Sequence, residues 1–177
     1  LTLYGSYGKS LSLGPQAPFW ASNGSVFLDP YFTRQVEVGA KYQASRKLLI
    51  STAIFQMRAP YFYTKPTANG LEFVSEGHET HRGAEISLQG TVTRWLRLIA
   101  STAAISATSQ GTGTPEFENK QVINQPRVRS TFSADLVVPY VKGLAIMPGW
   151  SFTGRKSATR DDTVSVGGYY LFSSGLR

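Results

Sequence analysis

Long stretches of this sequence alternate between apolar and polar residues, and a period of two restricts the chain to a small set of folds. In residues 84–92 the even-numbered positions are Ala, Ile, Leu, Gly and Val, whereas the odd-numbered positions are Glu, Ser, Gln and Thr. Residues 35–42 and 127–138 follow the same pattern. Because successive side chains of a β-strand point to opposite faces, these stretches predict strands with one apolar and one polar face.

We predict eight strands, separated by residues that favour turns. The strands are Leu1–Lys9, Arg34–Ala44, Leu48–Tyr61, Leu71–Val92, Trp95–Thr108, Arg127–Val138, Leu144–Lys156 and Val164–Arg177. Residues 48–61 do not alternate clearly, so the pattern assigns no faces to the third strand. Pro148 lies within the seventh strand, and because proline has no backbone N–H to donate, we expect a bulge or a sheet edge there.

The connections between these strands alternate in length. Short links occupy Ala44–Lys47, Thr93–Arg94 and Pro139–Gly143, and longer ones occupy Ser10–Thr33, Thr64–Gly70, Gln110–Pro126 and Ser157–Thr163. In an up-and-down antiparallel sheet every second connection lies at the same end, so we expect short turns at one end and long loops at the other. This asymmetry is typical of bacterial outer-membrane barrels and not of soluble β-sandwiches.

The composition allows a membrane location without a membrane helix. No apolar run approaches the roughly 20 residues that a transmembrane helix needs, whereas a transmembrane strand needs only about 9–11. Lys and Arg outnumber Asp and Glu by 18 to 11, a net charge of +7, but they are scattered along the chain. We therefore predict no nucleic-acid binding. The chain has no cysteine, so no disulfide holds the fold.

A soluble β-sandwich or barrel is the alternative fold, because its strands also carry one apolar face. The loop asymmetry, together with polar faces rich in Ser, Thr, Gln, Arg and Glu, favours the membrane barrel. Both chain ends lie within strand-like sequence, and Leu1–Lys9 lacks the features of a signal peptide. We therefore expect residues 1–177 to form one domain that is part of a larger barrel.

Several strand segments resemble those of TonB-dependent siderophore receptors. Arg34–Tyr42 is similar to the family's E-V-G-x-K-Y strand, and Thr80–Ile86 contains R-G-A-E where the family reads R-G-x-E. Asn124–Arg127 reads N-Q-P-R and resembles the family's N-x-P-R start of a strand. Val164–Arg177 falls where the family often reads D-L-G-A-R-Y. Thr2–Ser10, Leu49–Met57 and Trp95–Ser101 resemble the remaining strands in order.

The resemblance covers nearly the whole chain and implies the thirteenth to twentieth of the family's about 22 strands. The plug, the TonB box, and the first and last strands are then missing. The implied function is import of ferric siderophores across the bacterial outer membrane, with TonB acting through the missing plug. This chain would supply barrel wall and extracellular loops, in contact with outer-membrane lipid and lipopolysaccharide. The implied protein is a transporter and not an enzyme, and no catalytic set of side chains is present.

Two aromatic residues are candidate ligand contacts. Phe19 and Trp20 lie in a long loop of polar and turn-forming residues, where exposed rings suit an aryl-rich siderophore. Packing against neighbouring loops, or a place in the aromatic girdle at the lipid interface, explains them equally well. Residues 61–63, Tyr-Phe-Tyr, end a strand, and we predict that they belong to that girdle.

Three basic residues near the outer rim are further candidates. Arg155, Lys156 and Arg160 suit an anionic ferric siderophore, because positive charge concentrates anions. Arg127 and Arg129 are expected on the polar face, where Asp135, Glu37 or Glu85 can pair with them. Ordinary ion pairing, or contact of the rim with lipopolysaccharide, is the alternative explanation for all of these charges.

No metal site or resident cofactor is predicted. His78 and His81 are three residues apart on a strand and point to opposite faces, so they cannot share an ion without a bend. Two other functions remain open at this level. One is a passive porin or an autotransporter barrel, and the other is a soluble β-domain that binds a partner through its loops.

Overall fold

The computed structural model describes all residues, Leu1–Arg177, and its regular secondary structure is almost entirely antiparallel strand. The strands are β1 Thr2–Ser12, β2 Tyr31–Ser45, β3 Leu48–Thr67, β4 Gly70–Thr93, β5 Leu96–Gln110, β6 Val128–Val137, β7 Ala145–Thr153, β8 Lys156–Ser157, β9 Ser165–Val166 and β10 Tyr169–Leu176. A single turn of 3-10 helix spans Pro115–Phe117. The structure has no helix long and apolar enough to cross a membrane. The predicted all-β, up-and-down antiparallel fold is confirmed.

Eight strands form one sheet in the order β1-β2-β3-β4-β5-β6-β7-β10, and β8 and β9 form a separate two-residue pair. Every main-sheet strand therefore lies beside its neighbour in sequence, apart from the β8–β9 pair inserted before the last one. The sheet is open, because β1 and β10 each pair on one side only.

The pairing register separates two faces, because directly paired residues share a face. One face carries the even-numbered residues of β2 to β7 and β10 and the odd-numbered residues of β1, except that the numbering is reversed in β4 before the bulge at Gly77. We call this the apolar face and the other the polar face. Between the short turns and a bulge at Gly77, every strand carboxylate lies on the polar face. These carboxylates are Glu37, Glu79, Glu85 and Asp135.

The structure assigns the two faces of β3, which the sequence pattern did not assign. Ile50 and Ile54 lie on the apolar face, while Phe55 and Met57 lie on the polar face. The Phe55 ring covers Gly83, where a Cβ atom would come within 2.6 Å of the ring. An apolar side chain on the polar face therefore hid the alternation.

The sheet is a single layer, so it buries few residues. Only 18 of 177 residues are buried, and large side chains of the apolar face are exposed. Val38, Ile54 and Ile86 are 55%, 63% and 54% exposed. A contiguous apolar surface of this extent is unfavourable in water and requires an apolar cover.

Connections at the two ends of the sheet differ as predicted, with one exception. Residues 46–47, 94–95 and 138–144 form the turn end, and residues 13–30, 111–127 and 154–168 form long loops at the opposite, loop end. The predicted loop Thr64–Gly70 is wrong. β3 and β4 continue to pair beyond the bulge at Gly77 until Thr67 meets Gly70, which leaves a two-residue turn. Pro66 pairs with Leu71 within the extended hairpin, and the turn-forming Asn69 lies in the turn at its tip.

Pro148 was predicted to mark a bulge or an edge, and it marks neither. It lies in β7, between β6 and β10, and pairs with Ser174 of β10. On the β6 side, direct pairing stops at Ser133–Gly149 and resumes in the same register at Leu136–Ile146. The ladder therefore accommodates the missing N–H by a local gap.

Candidate ligand-binding site at the loop end of the polar face

Two tyrosines on the polar face are buried where the loops fold over the sheet. Tyr61 is 4% exposed and Tyr63 is 0% exposed, and their rings stack at a centroid distance of 5.4 Å. Phe117 from loop 111–127 meets the Tyr63 ring edge-on at 5.3 Å. The predicted girdle position is therefore wrong for both tyrosines, because loops cover them and lipid cannot reach them. Phe62 packs instead against Tyr31 and Phe73.

The hydroxyl of Tyr63 anchors loop 111–127. It lies 2.5 Å from the Thr112 carbonyl oxygen and 3.0 Å from a Glu76 carboxylate oxygen. Lys65 forms an ion pair with Glu76, and its hydrogen bond lowers the pKa of Glu76. Burial raises the pKa of Tyr63, so the ring remains a neutral hydrogen-bond donor.

Glu118 holds the beginning of the same loop. Its carboxylate accepts hydrogen bonds from the backbone N–H groups of Gly111 and Thr112, at 2.9 and 3.0 Å. Gly111 and Gly113 have φ values of +65° and +68°, a backbone conformation that glycine adopts without strain. The backbone N–H of Gly111, followed by that of Thr112, lowers the pKa of Glu118. This loop is thus a preformed structure with defined internal bonds.

Arg160 approaches the buried tyrosines from loop 154–168. Burial raises the pKa of Tyr61, and the positive charge of Arg160 opposes that rise. The Nε atom of Arg160 is buried and makes no hydrogen bond. The residue as a whole is half-buried and no ion pair neutralises its charge, so it suits an anionic group at the rim.

Arg155 and Lys156 lie in the same loop as Arg160, with Arg155 exposed and Lys156 half-buried in β8. Loop 154–168 is attached to loop 111–127, because the Asn124 N–H donates to the Ser157 carbonyl oxygen at 2.9 Å. The three predicted basic residues therefore belong to one loop at the rim of the polar face. No ion pair holds any of them.

Phe19 and Trp20 are at a different position on the rim. Loop 13–30 is fixed to the β3–β4 hairpin by Asn23, whose side-chain amide exchanges hydrogen bonds of 2.8 and 3.0 Å with the backbone of Phe73. Phe19 is 88% exposed and Trp20 is 54% exposed. No hydrogen bond or ring contact joins these two aromatics to the basic residues of loop 154–168.

A polar cleft of about 330 Å³ lies deeper on the polar face. Glu85, Arg129 and the hydrogen-bonded pair Ser101–Thr131 (2.8 Å) line it. Arg129 lies on the polar face as predicted. Of its suggested partners, Asp135 pairs instead with Arg177 at 3.0 Å.

The two histidines point to opposite faces, as their spacing predicted. His78 shares the apolar face with Pro60, whereas His81 shares the polar face with Met57. His81 is nearly buried, and its Nε2 atom lies 2.9 Å from a Glu79 carboxylate oxygen. Sequence reasoning did not identify His81, Tyr61 or Tyr63 as buried residues of the polar face. All three residues have odd numbers, as do the other polar-face residues of β3 and of β4 after Gly77. This signal could not be used from the sequence, because the pattern did not assign the faces of β3.

Comparison with known proteins assigns the family. The family model described as "TonB dependent receptor-like, beta-barrel" matches residues 1–177. No curated protein matches the chain. The chain is similar to solved structures of BauA, the ferric preacinetobactin receptor of Acinetobacter baumannii (24% identity, TM-score 0.78), and of the siderophore receptor PiuA of the same species (18%, 0.78). It is also similar to the ferric yersiniabactin uptake receptor FyuA of Yersinia pestis (15%, 0.74).

These likenesses cover 98%, 97% and 98% of this chain but only 26%, 26% and 27% of the respective receptors. The chain thus spans about a quarter of the length of the receptors it matches. At these identities the solved structures show a shared fold, whereas the family model, which matches from the first residue to the last, shows the family. The chain belongs to the β-barrel family of TonB-dependent receptors.

Proposed function

We propose that this chain forms part of the wall and the outer loops of a bacterial outer-membrane receptor that imports ferric siderophores with energy supplied through TonB. The observation that carries the proposal is the family match over residues 1–177, on a sheet with one apolar and one polar face. In this arrangement the eight strands are one section of a larger barrel of about 22 strands. Strands from outside this chain then pair with the free edges of β1 and β10.

The faces support a membrane location. The hydrocarbon of a lipid bilayer can cover the exposed apolar face and remove Val38, Ile54 and Ile86 from water. The backbone groups of paired strands keep their hydrogen bonds there. The polar face then lines the barrel interior, where the cleft beside Glu85 and Arg129 meets water or a plug. The loop end lies outside the cell, since outer-membrane barrels place their long loops there.

The cargo class rests on the named relatives. BauA is a receptor for ferric preacinetobactin, PiuA is a siderophore receptor, and FyuA takes up ferric yersiniabactin. Ferric siderophores are often anionic, so cations at the outer rim draw them towards the barrel. We assign Arg160 the leading role among Arg155, Lys156 and Arg160, because its positive charge lies beside the buried Tyr61 and no ion pair neutralises it. Phe19 and Trp20 supply exposed rings for stacking on aryl groups.

Uptake measurements test this function. The receptor that contains this segment would be expressed in bacteria without other ferric-siderophore receptors, and uptake of radioactive iron from ferric catecholates, phenolates and hydroxamates would be followed. We expect uptake in the outer-membrane-bound protein that stops when TonB is deleted or the proton gradient is dissipated. Uptake that persists without TonB, or ion conductance without plug release, would identify a passive porin instead. Recovery of the protein from the soluble fraction would reject a membrane function altogether.

A further inference from the structure

The apolar face carries four basic side chains, and all four are gathered at one place. They are Lys9 on β1, Arg34 on β2, Arg58 on β3 and Arg82 on β4. The apolar faces of β5, β6, β7 and β10 contain no Lys or Arg. Within these eight strands, the basic residues of the apolar face are confined to four adjacent strands, and this clustering indicates a local site.

These cations are direct neighbours. Lys9 pairs with Arg34, Arg34 pairs with Arg58, and Arg82 pairs with Gln56, two residues from Arg58. Cross-strand partners have Cβ atoms about 4.5–5.5 Å apart, and like charges at that distance destabilise a sheet. All four side chains are exposed, and none forms a salt bridge. The apolar face has no carboxylate between the turns and Gly77, so the neutralising anion must come from another molecule.

Their present contacts leave positive charge available. Arg82 donates through Nε to the Gln56 side-chain oxygen at 2.8 Å, and Arg58 lies 3.0 Å from the His78 ring. Lys9 lies over the Phe32 ring at 3.8 Å. None of these partners carries a negative charge. The guanidinium groups keep N–H donors for the bidentate bonds that arginine forms with phosphate.

The surface beside the four cations is shaped for an amphiphile. A groove of about 280 Å³ is lined by Val36, Val38 and Ile54, and Arg82 lies at its border. A smaller recess of about 190 Å³ next to it is lined by Arg34, Arg58 and His78, among others. The apolar groove can accept a hydrocarbon chain, and the adjacent basic recess can accept the anionic headgroup of the same molecule.

We propose that Lys9, Arg34, Arg58 and Arg82 bind the phosphates of a phosphorylated, multiply acylated glycolipid, the lipid A part of lipopolysaccharide, with an acyl chain in the groove at Val36, Val38 and Ile54. This inference rests on the proposed outer-membrane location, with the loop end outward. Strands are about 4.8 Å apart, so the four cations extend over roughly 14 Å. That width exceeds one phosphate group and suits two phosphates on either side of a disaccharide.

The test uses the complete receptor, purified in detergent from outer membranes. The variant R34Q/R58Q/R82Q removes three charges from the site, and R46Q/K47Q/R94Q removes three from the turn end as a matched control. Binding of purified lipid A, dephosphorylated lipid A, phosphatidylglycerol and inorganic phosphate would be measured by native mass spectrometry. Co-purifying lipid would be identified in parallel, and circular dichroism would establish that each variant is folded.

We expect the wild type and the control to retain lipid A and the site variant to bind it at least about tenfold more weakly, since each charged hydrogen bond contributes about a factor of ten. R34K/R58K/R82K, which keeps charge without the bidentate geometry, should bind at an intermediate level. Equal binding of dephosphorylated lipid A, equal binding by the site variant, or a preference for phosphatidylglycerol or free phosphate would each overturn the proposal.

Iron uptake by the same variants separates the two proposals. The site is on the outside of the wall, so R34Q/R58Q/R82Q should import iron as the control does once it is folded in the membrane. A wild-type receptor that binds lipid A but imports no siderophore would support the lipid site and reject the transport function. A wild type found outside the outer membrane would reject both.

Discussion

At the scale of single residues, the buried hydroxyl of Tyr63 connects a loop to the sheet. It contacts the Thr112 carbonyl oxygen and the Glu76 carboxylate, and the ring itself is fully buried. Tyr63→Phe removes these bonds but keeps the packing, so it should destabilise loop 111–127 by about 1 kcal/mol. Hydrogen exchange of this loop in the complete receptor measures the effect. Tyr140→Phe is the control, because Tyr140 is 96% exposed, and equal protection in both variants would contradict the anchoring role.

Glu118 makes the same loop sensitive to acid. Its pKa is lowered by the N–H groups of Gly111 and Thr112, so its contribution to stability is complete above the ordinary glutamate pKa and is lost as pH falls through the lower, folded value. Amide exchange in residues 111–118, corrected for intrinsic rates, should therefore accelerate in the wild type between about pH 5 and pH 3. Glu118→Gln should be less protected at neutral pH and show little further change. Glu116→Gln should behave as the wild type, and an acid response unchanged in Glu118→Gln would refute this role.

Arg160 carries the prediction for ligand binding. Its positive charge, which no ion pair neutralises, and its position beside Tyr61 suit a ligand oxygen. Arg160→Gln in the complete receptor should weaken binding of the transported ferric siderophore about tenfold, the effect of losing one charged hydrogen bond. Titration calorimetry measures the affinity, with Arg46→Gln at the turn end as control. Unchanged affinity would remove Arg160 from the site.

At the scale of the strand, neighbouring residues meet different surroundings. Ile86 lies on the apolar face and is 54% exposed, while Ser87 lies on the polar face. If lipid covers the apolar face, Ile86→Arg should destabilise the barrel by about 2–4 kcal/mol, the cost of an arginine near the bilayer midplane. Ser87→Arg should cost far less, because its side chain points into the barrel.

Urea unfolding of the receptor in lipid vesicles compares these two variants. The same substitution one residue apart controls for strand propensity and for net charge. Equal destabilisation would show that both faces meet similar surroundings, as they would in a soluble sandwich.

At the scale of the whole molecule, a single open sheet leaves apolar side chains and the backbone groups of its edge strands exposed to water. The 177-residue chain alone exposes its apolar face and the unpaired edges of β1 and β10. We therefore expect this chain to associate in buffer without detergent, because free edges pair with further copies and apolar surfaces coalesce. Size-exclusion chromatography with light scattering tests this, and a monodisperse monomer in buffer would be incompatible with the proposed membrane face.

The alternation of side chains was sufficient to predict the strands, their antiparallel order and most of their faces. It is a local property, because a strand turns every second side chain to the same side whatever its partners are. Thus residues 84–92 were assigned correctly from the sequence alone. The candidate site was predictable only as a set of rim residues, since Arg155, Lys156 and Arg160 share one short stretch of chain.

Only the tertiary structure decided features that depend on which segments pair and on what covers them. Pairing between β3 and β4 turned the expected loop Thr64–Gly70 into a hairpin tip, and two folded loops buried Tyr61 and Tyr63. The register likewise placed Lys9, Arg34 and Arg58 side by side, although they are far apart in sequence. Such contacts follow from which strands meet and in what alignment, and a one-residue shift in register would send each of these side chains to the other face.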